Sequence, residues 1–168
     1  MAKNNAEQPS FEHFLEFFPP VELPFTLGED THHLFSKENK PLPAAVIAAF
    51  VYPLDGEGET DEMTEYIACF QLPASGKYHA VVFWKAGLLN YQYKLVTFDT
   101  KGNVIDQRVI AGTTFDGADL TQTMAVIQEE LQIYLVSGQS QVAIDDYSAA
   151  NSTANRLQLS DAGKIVEL

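Results

Sequence analysis

The sequence predicts a mainly β protein, α+β only at its margin. An antiparallel meander of about eight strands, folded as a barrel or a sandwich, carries two short N-terminal helices packed against it. Three observations predict it. From Tyr66 onward the apolar stretches are short, rich in β-branched and aromatic residues, and punctuated by polar turns. A period of two runs through Tyr91, Tyr93, Leu95 and Thr97, and again through Leu131, Ile133 and Leu135, as in strands with one buried face. One hairpin is written twice: 98–106 aligns with 159–167, Gly102 falling on Gly163, each glycine followed by a polar residue, two β-branched residues and an acid. A glycine there supplies the positive φ that a tight reversal needs.

The 168 residues suit one domain over 10–168, because a chain of this size buries on the order of 70% of its unfolded surface without a staple. Residues 1–9 read as a polar, flexible tail. At 10–52 comes a helical and extended cover, and at 66–168 the meander. Ser10 is placed to cap a two-turn helix in which Phe11, Phe14, Leu15 and Phe18 fall on one face, with Glu12 in its first turn and Pro19-Pro20 ending it. The prolines of Val21-Glu22-Leu23-Pro24-Phe25 favour an extended segment lying across the sheet or at its edge. Residues 28–40 read as a polar connection, and 43–51, opened by Pro43 and carrying four alanines, as a second short helix.

An acidic loop follows at 55–62. Strands are expected at 66–72, 78–84, 91–98, 104–110, 123–128, 131–136, 156–159 and 165–168. They pair through turns at Ser75-Gly76-Lys77, Lys101-Gly102-Asn103, Glu129-Glu130 and Ala162-Gly163-Lys164, short links that impose antiparallel order. Residues 138–155 read as a long loop before the last hairpin.

Ten Lys and Arg against 23 Asp and Glu leave a net charge of -13, which repels phosphate backbones and anionic lipid headgroups. Nucleic acid and membrane surfaces are therefore poor partners. The longest apolar run, at 43–51, is too short to cross a bilayer, and residues 1–9 lack the apolar core of a secretory signal, so the expected location is cytoplasmic. The single cysteine, Cys69, excludes an internal disulfide and reads as a buried small side chain.

Motifs assign no chemistry. Neighbouring histidines such as His32-His33 diverge on a strand or a helix, so they do not converge on one metal ion. Asp55, Glu57, Glu59 and Asp61 alternate as in a calcium loop, but the positions that should hold Gly and a bidentate Glu hold Thr60 and Tyr66. Asp145-Asp146, and Asp116 with Asp119, sit among turn-forming neighbours. No nucleophile elbow or phosphate-cradling loop occurs. No catalytic, cofactor-binding or metal residue is assigned, and no cofactor is implied.

Two surfaces remain. Phe17, Phe18 and Phe25, with Asp55, Glu57, Glu59, Asp61 and Glu62, would suit a basic protein partner, and a non-enzymatic interaction module, monomeric or homodimeric, is the leading functional expectation. The alternative is a β-barrel carrier with a hydrophobic-ligand pocket lined by Phe70, Trp84, Tyr91 and Tyr93. A third reading, a hydrolase-like enzyme, needs carboxylates and histidines that converge in space.

Overall fold

The computed structural model describes residues 9–55, 63–73, 76–88, 90–115, 117–141 and 152–168. Helix α1 (Phe11–Leu15), strand β1 (Phe25–Leu27), and helices α2 (Thr31–Glu38) and α3 (Ala44–Val46) precede the meander. The meander is β2 (Glu65–Gln71), β3 (Tyr78–Ala86), β4 (Asn90–Asp99), β5 (Val104–Phe115), β6 (Asp119–Ile127), β7 (Gln132–Gln141), β8 (Thr153–Leu159) and β9 (Ile165–Glu167). Strands β2 to β9 pair in chain order, all antiparallel, and the four expected hairpins form as β2–β3, β4–β5, β6–β7 and β8–β9.

Among the described residues no ladder joins β2 to β9, so the sheet curls without closing into a barrel. Its last hairpin instead leans on β4 and β5. The Thr97 hydroxyl donates to the Gly163 carbonyl at 2.6 Å, and the Ile165 N–H donates to Asp106 Oδ2 at 2.9 Å.

The repeated hairpin is repeated in its hydrogen bonds too. Asp99 Oδ1 accepts from the N–H groups of Lys101 and Asn103, and Ser160 Oγ, at the equivalent position, accepts from Ala162 and Lys164. Both acceptors satisfy turn amides that the ladder leaves free. Donation from Asn103, its backbone first, holds the Asp99 carboxyl below its ordinary range. Gly102 and Gly163 sit at φ 94° and 84°, and a Cβ there would come within 2.9 Å of Phe11 and 3.0 Å of Ile105. Each glycine thus makes its turn and lets a large side chain lie on it.

Strands β2 to β4 are buried on both faces, which is why β3 reads as a nearly continuous apolar run. On one face Val82, Trp84, Tyr93 and Leu95 join Ile127, Ile133 and Leu157 of the later strands. On the other, Val81, Phe83, Val96 and Phe98 meet Phe14, Phe18, Val46 and Leu54 of the N-terminal cover. Ser10 caps α1, its Oγ accepting from the His13 N–H at 3.0 Å. The second expected helix forms as α3 and continues through a π turn (Ile47–Val51) and a 3₁₀ turn (Tyr52–Leu54).

Helix α2 and the reach of β7 and β8 differ from the sequence reading, while the segment at 21–25 lies at a sheet edge as expected. Helix α2 occupies the segment expected to be an irregular connection; Phe35 is its one buried side chain, so no apolar stripe announces it. Segment 21–25 leads into β1, which pairs with β6. Strands β7 and β8 extend into the expected loop 138–155, of which 142–151 lie outside the described residues.

Cys69 is fully buried, and desolvation pushes its thiol well above the ordinary cysteine range. Among the described residues no helix is long and apolar enough to cross a membrane.

Candidate functional site

The meander splits between β5 and β6. Strand β5 follows β4 along most of its length, with a bulge at Ile110 between the pairs Tyr93↔Ala111 and Lys94↔Val109, yet it pairs with β6 only over 112–115. Beyond Thr123 the two strands part, and β1 takes the freed edge of β6 through Leu27↔Ala125 and Phe25↔Ile127. The turn from β1 into α2 lies over the gap. A cavity of about 420 Å³ results, inside the size range of small-molecule sites.

Its aromatic wall follows from register. Trp84 and Tyr93 are cross-strand partners and Tyr91 stands two residues before Tyr93, so the three side chains share a face. The His32 ring lies parallel to Trp84, centroids 4.2 Å apart and planes within 1°. Tyr91 is parallel to Trp84 within 5° at 5.8 Å. Trp84 is 6% exposed and Tyr91 47%, so the tyrosine is the ring of this set most open to a guest. Gln122, Thr113 and Thr123 add hydrogen-bonding groups to the wall, and Met124 and Val136 an apolar flank.

The covering turn is held from below. The Tyr93 hydroxyl donates to the Gly28 carbonyl at 3.4 Å. Burial pushes this phenol far above the ordinary tyrosine range. The Gly28 N–H donates to Thr31 Oγ1 at 2.8 Å. His32 Nδ1 lies 3.1 Å from the Glu29 carbonyl, and because a carbonyl only accepts, Nδ1 carries the proton of the neutral ring.

His32 titrates below its ordinary value near 6.5: burial lowers it first and the charge of His33 second, against smaller opposing effects of the Glu29 carbonyl and Asp30. Its other neighbours, Trp84 and Tyr93, carry no charge at these pH values. A folded pKa below the unfolded one means that the His32 contribution to stability is intact above about pH 6.5 and is lost as the pH falls through the lowered value. Trp84 is the only tryptophan, so its emission reports on the stacked imidazole directly. The expected result is a fluorescence transition with a midpoint below 6.5, absent in His32→Asn; a midpoint at or above 6.5 in the wild type would contradict the burial of this ring.

On the opposite face of β3 and β4 a second polar constellation is buried. Asp55, its side chain 2% exposed, lies 3.1 Å from Lys85 Nζ and 3.5 Å from Lys94 Nζ, and accepts from the Tyr66 hydroxyl at 2.7 Å.

Three of the four residues expected to line a pocket, Trp84, Tyr91 and Tyr93, come together at the cavity. Phe70 does not: it is 1% exposed and packs its ring against Phe25 and Phe35 in the core. The expected partner surface is corrected at two positions. Phe18, three residues past the end of α1, is 1% exposed because its ring packs on that of Phe14 in the core, and Asp55 is drawn inward by two lysines. Phe17 and Phe25 are partly buried against the two clusters, while Glu57, Glu59, Asp61 and Glu62 lie outside the described residues. His32, weighed in the sequence only as half of a metal-ligating pair, joins Glu29, Asp30 and Gln122 among the lining residues that were not assigned to a pocket. The signal for His32 was a histidine pair in the first turn of a helix that opens with Asp30-Thr31 just after an extended segment.

Comparisons with protein-family models, with curated proteins and with solved structures find no match to this chain. What the cavity binds has to be argued from its walls.

Proposed function

We propose that the protein is a small-molecule binding protein that holds a ring-bearing ligand in the cavity between β5 and β6. The observation that supports this most is the parallel alignment of His32, Trp84 and Tyr91 along a cavity of about 420 Å³. Aromatic walls with a few hydrogen-bonding groups are the usual composition of such sites. The half-exposed Tyr91 offers its ring at no cost to the core, whereas the buried Trp84 and Tyr93 hold the shape. Binding is the chemistry these groups support.

The neutral dye Nile red, titrated while the emission of Trp84 and of the dye is followed, tests the reading. Tyr91→Ala is expected to weaken binding about tenfold, the loss of one stacking partner worth roughly 1–1.5 kcal/mol. The unfolding midpoint should stay put, because Tyr91 is 47% exposed. Equal binding by wild type and Tyr91→Ala would remove the cavity as the site.

A second reading, an interaction module for a basic protein, draws support from the net charge of -13. An exposed apolar row of Met124, Tyr134, Val136 and Leu168 also favours a protein-facing surface.

A further inference from the structure

We propose that the ligand of this cavity is a planar cation, an aromatic ring system carrying a fixed positive charge of the quinolinium or pyridinium kind. The inference rests on the binding-site reading above and adds shape and charge to it.

The common orientation of the rings sets the shape of the guest. His32 and Trp84 are parallel within 1° and Trp84 and Tyr91 within 5°, so a flat guest laid on Tyr91 continues a stack that is already built. A rounded guest would leave the tyrosine face uncovered, and with it the contact area that a stacked ring supplies.

Three features of the cavity set the charge of its guest. First, the covering turn places two exposed carboxylates, Glu29 and Asp30, on the cavity wall, and none of the described residues lining it is Lys or Arg. Asp30 approaches His33 only at 4.0 Å, with both side chains largely in solvent, so that pairing leaves its charge available to a guest. Second, two of the N–H groups that could bind an anion at the start of α2 are already used. Thr31 N–H donates to the Gly28 carbonyl and His33 N–H to the Asp30 carbonyl. The helix start therefore offers an anion few free donors. Third, the face of Tyr91 carries the negative side of the ring quadrupole and attracts a cation, within a chain whose net charge of -13 sets the same sign of field. An anionic guest would meet the carboxylates, the ring faces and the overall field with the wrong sign each time.

The test uses three flat bicyclic probes of matched outline, titrated calorimetrically into the full-length protein at low salt. They are N-methylquinolinium, its neutral isostere 1-methylnaphthalene, and 1-naphthoate. The cation is expected to bind about tenfold more tightly than the neutral probe and the anion not measurably. In the doubly substituted Glu29→Gln, Asp30→Asn protein, the cation's advantage should shrink to about threefold or less while neutral affinity holds. Both positions are exposed, and circular dichroism checks that the variant is folded. A neutral probe that binds as tightly as the cation overturns the charge assignment and leaves the binding site standing. A cation advantage that survives the double substitution also overturns it, since the general field then accounts for the preference. If none of the three probes binds, and Tyr91→Ala behaves as wild type toward Nile red, the binding-site reading falls with it.

Discussion

Asp55→Asn is expected to cost about 3–5 kcal/mol of stability, the penalty for leaving buried amines without their counter-ion. Lys85 and Lys94 project from neighbouring strands on the same face, where Lys94 is the register partner of Phe83 and Lys85 that of Gln92. Their side chains are 10% and 12% exposed, and Asp55 lies within 3.5 Å of both. The Tyr66 hydroxyl adds a hydrogen bond to the same carboxylate, and Lys94 also reaches the Leu54 carbonyl at 3.5 Å. One anion serves two cations, so the substitutions are unequal. Asp55→Asn strands two charges, whereas Lys85→Met or Lys94→Met removes one charge and leaves a pair that can still compensate. Urea unfolding of the three variants should therefore rank Asp55→Asn as much the worst. A cost below about 1 kcal/mol would mean that the cluster behaves like a solvated surface pair, for which such values are usual.

That cluster also shows where the sequence was legible and where it was not. The meander could be read because each strand carries its own signal: period-two alternation in β4 and β7, and turn residues at the four hairpins. The twin hairpins carried the most, since Asp99 and Ser160 repeat the same turn hydrogen bonds and Gly102 and Gly163 the same backbone conformation. Asp55, by contrast, opens a run of acids and glycines, and by local composition belongs on the surface. Its burial is decided by Lys85 and Lys94, thirty and more residues away, whose position inside apolar strands is the sequence trace of a counter-ion requirement. Trp84, Tyr91 and Tyr93 could be gathered as a candidate pocket because strand register alone puts them on one face. Phe70 was grouped with them by residue type, but the chain has many aromatics and type does not say which are enclosed by others. His32 depends on the path of β1 across the gap and on a helix with a single buried residue, and neither has a periodic signature.

The gap itself depends on Gly112, and Gly112→Ala is expected to cost about 2–5 kcal/mol, combining an unfavourable backbone conformation with overpacking against a main chain. Gly112 sits at φ 141°, and a Cβ there would overlap the Tyr91 carbonyl oxygen and come within 2.9 Å of the Gln92 Cα. These are backbone atoms of the paired strand, so no side chain can swing away to make room. The residue lies two places beyond the Ile110 bulge, where β5 still holds β4 through Gln92↔Gly112 and begins to hold β6 through Gly112↔Thr123. A methyl group at this junction must push β4 away, and β4 carries Tyr91 and Tyr93. Loss of stability and loss of Nile red binding should therefore travel together in Gly112→Ala. Gly117→Ala provides the comparison, because Gly117 has φ 95° with nothing within 4 Å of the added Cβ. It should pay only the conformational part, about 1 kcal/mol, and keep its ligand. Equal losses in the two variants would show that backbone conformation alone limits Gly112, whereas a large difference in both stability and binding would tie the close approach of β4 and β5 to the cavity that opens beside it.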